Sequence, residues 1–224
     1  MIGGGQLARM MQEEASALGI HLRALVEAAD GSAGQVTPDA PVGTAGDEAA
    51  VRAVVAGDGT PGADGEPAAV VTFEHEHQDA ALLERLQTEG VSVQPPPRAL
   101  ELARDKLAMR RAMSEAGLPQ PAWMEVGGAH QETAEQMADA VEAFAADHGW
   151  PVVLKTPRGG YDGHGVLLVR SAESLREGEA AEWIASVAGA RAGRSDGRGA
   201  GGGGSLGGGA VTSLLVEQAI PFSR

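Results

Sequence analysis

The chain has 224 residues, and its 17 Lys and Arg against 31 Asp and Glu give a formal charge of −14. This length allows one or two domains, and 43% hydrophobic with 21% charged residues is typical of globular proteins. The acidic balance argues against a nucleic-acid partner, because binding to phosphates requires clustered Lys and Arg. No apolar run in the sequence is long enough to span a membrane, and the lack of cysteine excludes disulfides and thiolate metal sites. We expect a cytoplasmic protein.

The first half of the chain alternates between predicted helices and predicted strands. A glycine turn at residues 3–5 precedes a helix whose apolar face carries Leu7, Met10, Met11 and Leu18, and we expect the two methionines in the core. Strands are predicted over residues 20–26, 68–73 and 91–93, and a helix over 80–89. The alternation indicates an α/β fold, in which residues 1–97 form a small doubly wound parallel-sheet domain that ends at a run of three prolines.

The second half predicts an α+β module over residues 98–224. Helices are expected over 100–116 and 133–148, and strands over 152–155, 166–169 and 214–218. Residues 192–210 are so rich in glycine that we interpret them as a flexible insertion. At the other end, only two residues precede the glycine turn. We therefore expect either a natural start upstream of Met1 or a shortened first strand.

The glycine turn has two interpretations that the residues leave open. Gly3, Gly5 and Ala8 satisfy the pattern G-x-G-x-x-[GA] between a strand and a helix, where backbone amides can approach a phosphate. Glu27 lies where a dinucleotide-binding fold places the acid that contacts ribose. The turn is either a tight βα connection without a ligand or part of a dinucleotide-binding module.

The segment from residue 155 to 166 is the clearest candidate for a phosphate site. Lys155 ends an apolar strand, and a loop with four glycines and Arg158 follows before the next strand. A mobile glycine backbone can offer N–H donors to phosphates, and the two cations can neutralise their charge. A plain surface hairpin is less favoured, because a lysine on an apolar strand is costly without an anion.

Five stretches of the sequence together resemble a known family. They are IGGGQLARMM, VVTFEHEH, ARDKLAMRRAMSEAGLPQPAW, VVLK with GGYDGHG, and LLVEQAIPFSR. In order and spacing they resemble the ATP-grasp enzymes of purine biosynthesis, specifically the N5-carboxyaminoimidazole ribonucleotide synthetase family. The resemblance implies a pre-ATP-grasp domain followed by the first helix, the lid and the adenine linker of an incomplete ATP-grasp domain.

The resemblance also implies an activity and its partners. In this family, ATP with Mg²⁺ drives the carboxylation of 5-aminoimidazole ribonucleotide by bicarbonate, through carboxyphosphate. The expected partners are therefore these small molecules, with a homodimer possible. The acidic Mg²⁺ ligands are expected beyond residue 224, so we expect no turnover by this polypeptide alone. The alternative is a Rossmann-like dinucleotide-binding module without ligase activity.

The resemblance assigns roles to individual residues. The catalytic residues are expected to be Tyr161 and Asp162. ATP phosphates are expected at Lys106, Lys155 and a lid made of Gly160, Tyr161, Asp162, Gly163, His164, Gly165 and Val166. Adenine is expected at Glu217, Gln218, Ala219 and Ile220. The aminoimidazole ribonucleotide is expected at Gly3, Gly4, Gly5, Gln6, Leu7, Glu74 and Glu76.

A possible zinc pair at His75 and His77 is not favoured. Catalytic zinc uses three protein ligands, and the sequence offers no evident third ligand nearby. We interpret this stretch as a polar strand end and assign no metal ligand.

Overall fold

The computed structural model describes residues 1–57, 66–129, 133–159, 165–195 and 211–221, and only the backbone of 191–195. The chain divides into two compact units, Met1–Glu101 and Leu102–Arg224, a few residues beyond the predicted boundary. Most of the predicted loop near 57–67 and of the insertion at 192–210 lies outside the described residues. None of the described helices is both long enough and apolar enough to cross a membrane.

Five short segments of the first unit pair in parallel. The segment of Ile2 lies between those of Leu25 and Phe73, and the segments of Val42 and Val93 lie outside these. Numbered along the chain, their order across the sheet is 3-2-1-4-5, as in doubly wound dinucleotide-binding folds. The prediction of a doubly wound α/β unit is therefore confirmed, although the segment around Val42 was not expected.

Three helices accompany these segments: α1 (Gln6–Leu18), α2 (Glu48–Ala56) and α3 (Ala80–Thr88). Helix α1 buries Ala8, Gln12 and Ala15, and Ala8 packs in a cluster that also contains Ala24 and Ala33. Met10 and Met11 remain 53% and 39% exposed, so the prediction that they lie in the core is wrong. Alanine side chains allow the backbone of α1 to pack closely against its neighbours. The periodicity of apolar residues in the sequence does not show that the alanines, and not the methionines, face inward.

The amino group of Met1 is buried and donates to the carbonyl of Arg23 at 2.7 Å. Burial and the neighbouring Arg23 lower the pKa of this amine from 8.0 to about 6. Because the folded chain then binds fewer protons than the unfolded chain between pH 6 and 8, its free energy of unfolding should rise with pH there. We expect a rise of about 2 kcal/mol, measured by denaturant unfolding across this range. Acetylating the amine should abolish the rise, and an acetylated chain with an unchanged pH profile would contradict the assignment.

The second unit contains a four-stranded antiparallel sheet of β1 (Trp123–Gly127), β2 (Val152–Lys155), β3 (Val166–Val169) and β4 (Ser213–Gln218), in the order β1-β4-β2-β3. Its helices are α5 (Lys106–Glu115), α6 (Ala134–His148), α7 (Ala172–Arg176) and α8 (Gly178–Ser195). One face of the sheet shares a core with α6, α7 and α8, built around residues such as Leu154, Val216, Val141, Leu175 and Ile184. The opposite face carries the charged residues Lys155 and Glu217 beside the apolar Val153 and the buried Leu215.

The single helix predicted over residues 100–116 is interrupted, and that prediction is wrong. Helix α4 covers Pro97–Arg104, and α5 begins at Lys106. Between them, the Asp105 carboxylate accepts hydrogen bonds from the amides of Leu107 and Ala108 at 2.9 and 3.0 Å. Such a cap satisfies amide donors that have no partner within the helix, so it starts a new helix at this point. The interruption fixes Lys106 as the first residue of α5.

Candidate functional site

In the first unit, the glycine turn encloses a carboxylate. Glu74 accepts hydrogen bonds from the amides of Gly5 and Leu7, at 2.6 and 3.1 Å. The segments of Ile2 and Phe73 are parallel neighbours, so the turn and Glu74 follow them at the same sheet edge. The negative charge lies at the amino terminus of α1, where the helix dipole favours it. An anionic ligand at these amides would have to displace Glu74.

Gly5 is required for the close contact between the glycine turn and the carboxylate of Glu74. A Cβ atom at position 5 would lie 2.3 Å from Oε1 of Glu74, so a side chain there must push the carboxylate away. We expect Gly5→Ala to destabilise the first unit by about 1–3 kcal/mol, because two amides and a carboxylate lose their partners. Faster hydrogen exchange of the α1 amides would report the change. Gly46→Ala is the matched control, since its Cβ would meet only Thr44 at 4.0 Å, and equal effects of the two variants would contradict this role.

The other residues predicted for the ribonucleotide do not all lie at this turn. The amide oxygen of Gln6 accepts from Ser32 at 3.0 Å, and the carbonyl of Gly4 accepts from the amide of Ala33 at 3.0 Å. Gly3 adopts a φ of 110°, in the region that favours glycine. Glu76 instead lies 3.6 Å from His77 and does not join the contacts of Glu74. Glu27, the acid of the dinucleotide interpretation, is exposed.

The described residues include no group of three or more His, Cys, Asp or Glu that could hold a metal ion. His75 and His77 have ring centroids 5.7 Å apart. The ring nitrogen Nδ1 of His75 accepts a hydrogen bond from the amide of His77 at 3.2 Å, as in a local turn.

In the second unit, two strands and one helix bring charged side chains together around Glu217. Its carboxylate accepts from Lys155 at 2.5 Å and from Arg110 at 2.6 Å. Glu217 pairs directly with Val153 on β2, so Lys155, two residues further on, points from the same face of the sheet. Arg110 reaches this face from α5. The three side chains form an ion cluster in which the side chain of Glu217 is only 5% exposed.

Lys106 adds a further cation at the end of β2. Its Nζ donates to the carbonyl of Thr156 at 3.2 Å, and its amide donates to Pro157 at 2.9 Å. None of the described carboxylates lies within ion-pair distance of Lys106. Beside it, Arg158 donates to Asp105 at 2.9 Å, so Arg158 is held by the residue that starts α5.

The electrostatics of this cluster favour an added anion. Burial raises the pKa of Glu217, but hydrogen bonds from Arg110 and Lys155 outweigh that effect, and the pKa is lowered overall. Burial and the charge of Lys155 lower the pKa of Lys106. A pKa lowered by a second lysine means that the two ammonium groups repel each other. Among the described residues, the four cations Lys106, Arg110, Lys155 and Arg158 exceed the two carboxylates of Glu217 and Asp105, and a phosphate group would neutralise the excess positive charge.

Not all residues predicted for the nucleotide can be placed. The lid residues Gly160, Tyr161, Asp162, Gly163 and His164 lie outside the described residues. Gly165 accepts from the amide of Thr156 at 3.0 Å, and Val166 pairs with Lys155. After Glu217, the amide of Gln218 donates to Ala122 at 2.9 Å, and Ala219 and Ile220 follow the end of β4.

Arg110 is the functional-site candidate that sequence reasoning missed. It lies four residues after Lys106 on α5, so both side chains project from one face of the helix. This spacing was visible in the sequence. Its partner Glu217 is 107 residues away, however, and no local pattern links the two.

Comparison with known proteins finds similarity over both units. Residues 1–104 match the model of the ribonucleotide synthetase preATP-grasp domain. An N5-carboxyaminoimidazole ribonucleotide synthase of Mycobacterium tuberculosis is 43% identical over 177 residues, covering 79% of this chain and 37% of the relative. The ADP complex of an N5-carboxyaminoimidazole ribonucleotide synthetase is 25% identical with a TM-score of 0.68, covering 99% of this chain and 46% of that one.

The corresponding enzyme of Thermus thermophilus is 28% identical with a TM-score of 0.63, covering 100% of this chain and 48% of the solved one. The chain thus spans less than half the length of each of these relatives.

Proposed function

The chain is homologous to N5-carboxyaminoimidazole ribonucleotide synthases over 79% of its length, and on that premise we propose that it supplies part of such an ATP-dependent ligase. Its second unit binds the adenine nucleotide, and its first unit contacts 5-aminoimidazole ribonucleotide. The observation that carries the proposal is the excess of cations over carboxylates among the described residues around Glu217, where Lys106, Arg110 and Lys155 gather while Asp105 is paired with Arg158.

The proposed reaction consumes ATP and bicarbonate. A bicarbonate oxygen attacks the γ-phosphorus, the bond to ADP breaks, and carboxyphosphate forms. The amine of 5-aminoimidazole ribonucleotide then takes up the carboxyl carbon and loses a proton, and phosphate leaves. In this scheme Lys106 and Lys155 hold the phosphates by charge and hydrogen bonding. Tyr161 and Asp162 act at the carboxylating centre, and Gly160–Val166 close over the phosphates.

Adenine is proposed to bind at residues 217–220. No backbone partner is present for Ala219 or Ile220 among the described residues, so their N–H and C=O groups remain available. A purine edge that offers one acceptor and one amino donor matches such an extended backbone. Glu217 is held by Arg110 and Lys155, so its carboxylate is fixed where the linker begins.

The ribonucleotide is proposed to bind at Gly3–Leu7, Glu74 and Glu76. The Glu74 carboxylate, already fixed by two amides, can accept hydrogen bonds from the hydroxyl or amino groups of a ligand.

Mg²⁺ accompanies ATP in the proposal, but the described residues do not fit a site for it. No step is therefore assigned to the metal. A cytoplasmic location and a homodimer complete the proposal. Sedimentation of the purified chain tests the homodimer, and a monomer at all concentrations would contradict it.

Nucleotide titration distinguishes the ligase from the dinucleotide module. By calorimetry, we expect the 224-residue chain to bind ADP and to give no heat with NAD at the same concentration. The alternative predicts the opposite preference, with NAD binding that weakens in Gly5→Ala and in Glu27→Ala. Binding of NAD alone would overturn the proposed function.

A further inference from the structure

The carboxylate of Glu217 binds its two cations through separate oxygens. Nε of Arg110 donates to Oε1 at 2.6 Å, and Nζ of Lys155 donates to Oε2 at 2.5 Å. Strand β4 pairs with β1 on one side and with β2 on the other, so the backbone of Glu217 is fixed between two neighbours. A rearrangement at this carboxylate must therefore come from the side chains of its partners.

The two cations are not held equally. The side chain of Arg110 is 11% exposed, and its Nη1 donates to Sδ of Met113 at 3.8 Å, within the same helix. The side chain of Lys155 is 25% exposed, and within the described part of the chain its ammonium has Glu217 as its one hydrogen-bond partner. An ammonium carries three donors, so Lys155 retains N–H groups that an incoming phosphate oxygen can engage.

A phosphate that takes Lys155 also removes a counter-charge from Glu217. This residue is 3% exposed, and a buried carboxylate without a cation is strongly unfavourable. Burial raises the pKa of Glu217, whereas hydrogen bonds from Arg110 and then from Lys155 lower it by more. The contact with Arg110 does not depend on Lys155, so the carboxylate keeps one counter-charge when the lysine moves to a phosphate.

We propose that Arg110 is a positioning residue for the nucleotide phosphates. It remains on Oε1 of Glu217 and neutralises this carboxylate, which allows Lys155 to leave Oε2 and donate to a phosphate oxygen. Arg110 thus acts through Glu217 and Lys155, without touching the nucleotide. The inference rests on the proposed binding of an adenine nucleotide at this cluster, and it adds an exchange of partners by Lys155.

Arg110→Met in the full 224-residue chain removes the guanidinium and keeps an apolar side chain. Among the described residues, Lys155 is then the one cation left on Glu217, so ADP must compete with a buried carboxylate for it. We expect calorimetry to show ADP affinity reduced by at least about tenfold. Adenosine has no phosphate and does not engage Lys155, so its affinity should stay within about twofold. A merely structural role of Arg110 would weaken the binding of both ligands.

The double variant Arg110→Met with Glu217→Gln separates positioning from direct phosphate contact. The glutamine amide has the size of the carboxylate and no charge, so it does not retain Lys155. ADP affinity should return to within about threefold of that of the parent chain. If Arg110 bound the phosphate itself, the double variant would bind ADP no better than Arg110→Met alone.

Two further variants complete the comparison. Arg110→Lys should keep ADP affinity within about threefold of the parent value, because the guanidinium donates to Glu217 through Nε and a second cation can take that place. Arg111→Met is the matched control, since Arg111 follows on the same helix, is 54% exposed and pairs with Glu125. It should leave ADP affinity within about twofold.

Three results would overturn the inference while the parent chain binds ADP. They are an unchanged ADP affinity in Arg110→Met, equal losses for ADP and adenosine in that variant, and a double variant as weak as the single one. The first two results need only Arg110→Met, so they decide the matter even if the double variant does not fold. A parent chain that does not bind ADP would overturn the proposed function, and this inference with it.

Discussion

Lys155→Ala is expected to weaken ADP binding by at least about tenfold, with ADP affinity measured by titration calorimetry. The lysine ends β2 and holds Oε2 of Glu217, at the place where cations exceed carboxylates. A hydrogen bond between charged groups contributes about 1.5–3 kcal/mol, which corresponds to a factor of roughly 10–100 in affinity. Lys106 and Arg110 remain in the variant, so binding should be reduced and still detectable.

The matched control is Arg176→Ala, which removes one positive charge from the same unit. Arg176 pairs with Asp139 and Glu142 on the surface between α6 and α7. Its loss should leave ADP affinity within about twofold, because an exposed pair contributes little and solvent screens distant charges. If both variants bound ADP as the parent chain does, Lys155 would not be a phosphate ligand.

Glu217→Ala is expected to have the largest effect on stability, lowering the free energy of unfolding of the second unit by about 3–5 kcal/mol. The residue is 3% exposed, and its removal leaves Arg110 and Lys155 facing each other without a counter-charge. Denaturant unfolding with hydrogen exchange of the β2 and β4 amides measures the loss in that unit.

Glu125→Ala provides the control, because Glu125 lies on edge strand β1 and pairs with Arg111, whose side chain is 54% exposed. Its loss should cost less than about 1 kcal/mol. The pKa of Glu217 is lower in the folded state than in the unfolded state. Its contribution to the free energy of unfolding is therefore fully present above the unfolded-state pKa and is lost as the pH falls through the folded-state pKa. Equal losses in the two variants would contradict a buried, functional ion cluster.

Local patterns were sufficient to predict the strands that carry the candidate nucleotide site. Lys155 ends a short apolar run and Glu217 lies in another, and both strands form as expected. The same kind of pattern predicted the parallel segments around Leu25 and Val71. These elements depend on alternation along a few neighbouring residues, which a single sequence displays.

The contacts that assemble each site depend on pairing between distant segments. Glu74 meets the amide of Gly5 because two parallel segments end side by side, although 69 residues separate them. Arg110 meets Glu217 across 107 residues. The spacing of apolar residues predicts one continuous helix here, but the side chain of Asp105 caps a new helix and so divides it in two. The exposure of Met10 followed from small residues on the opposite side of α1.

Mapping ADP by amide chemical shifts would test most directly whether the nucleotide binds in the second unit. Saturating ADP should shift the amides of Lys106, Thr156 and residues 217–220, and leave those of Gly5 and Leu7 unchanged. Shifts confined to residues 3–7 and Glu27, with none around Lys155, would contradict the assignment of the adenine nucleotide to the cluster around Glu217.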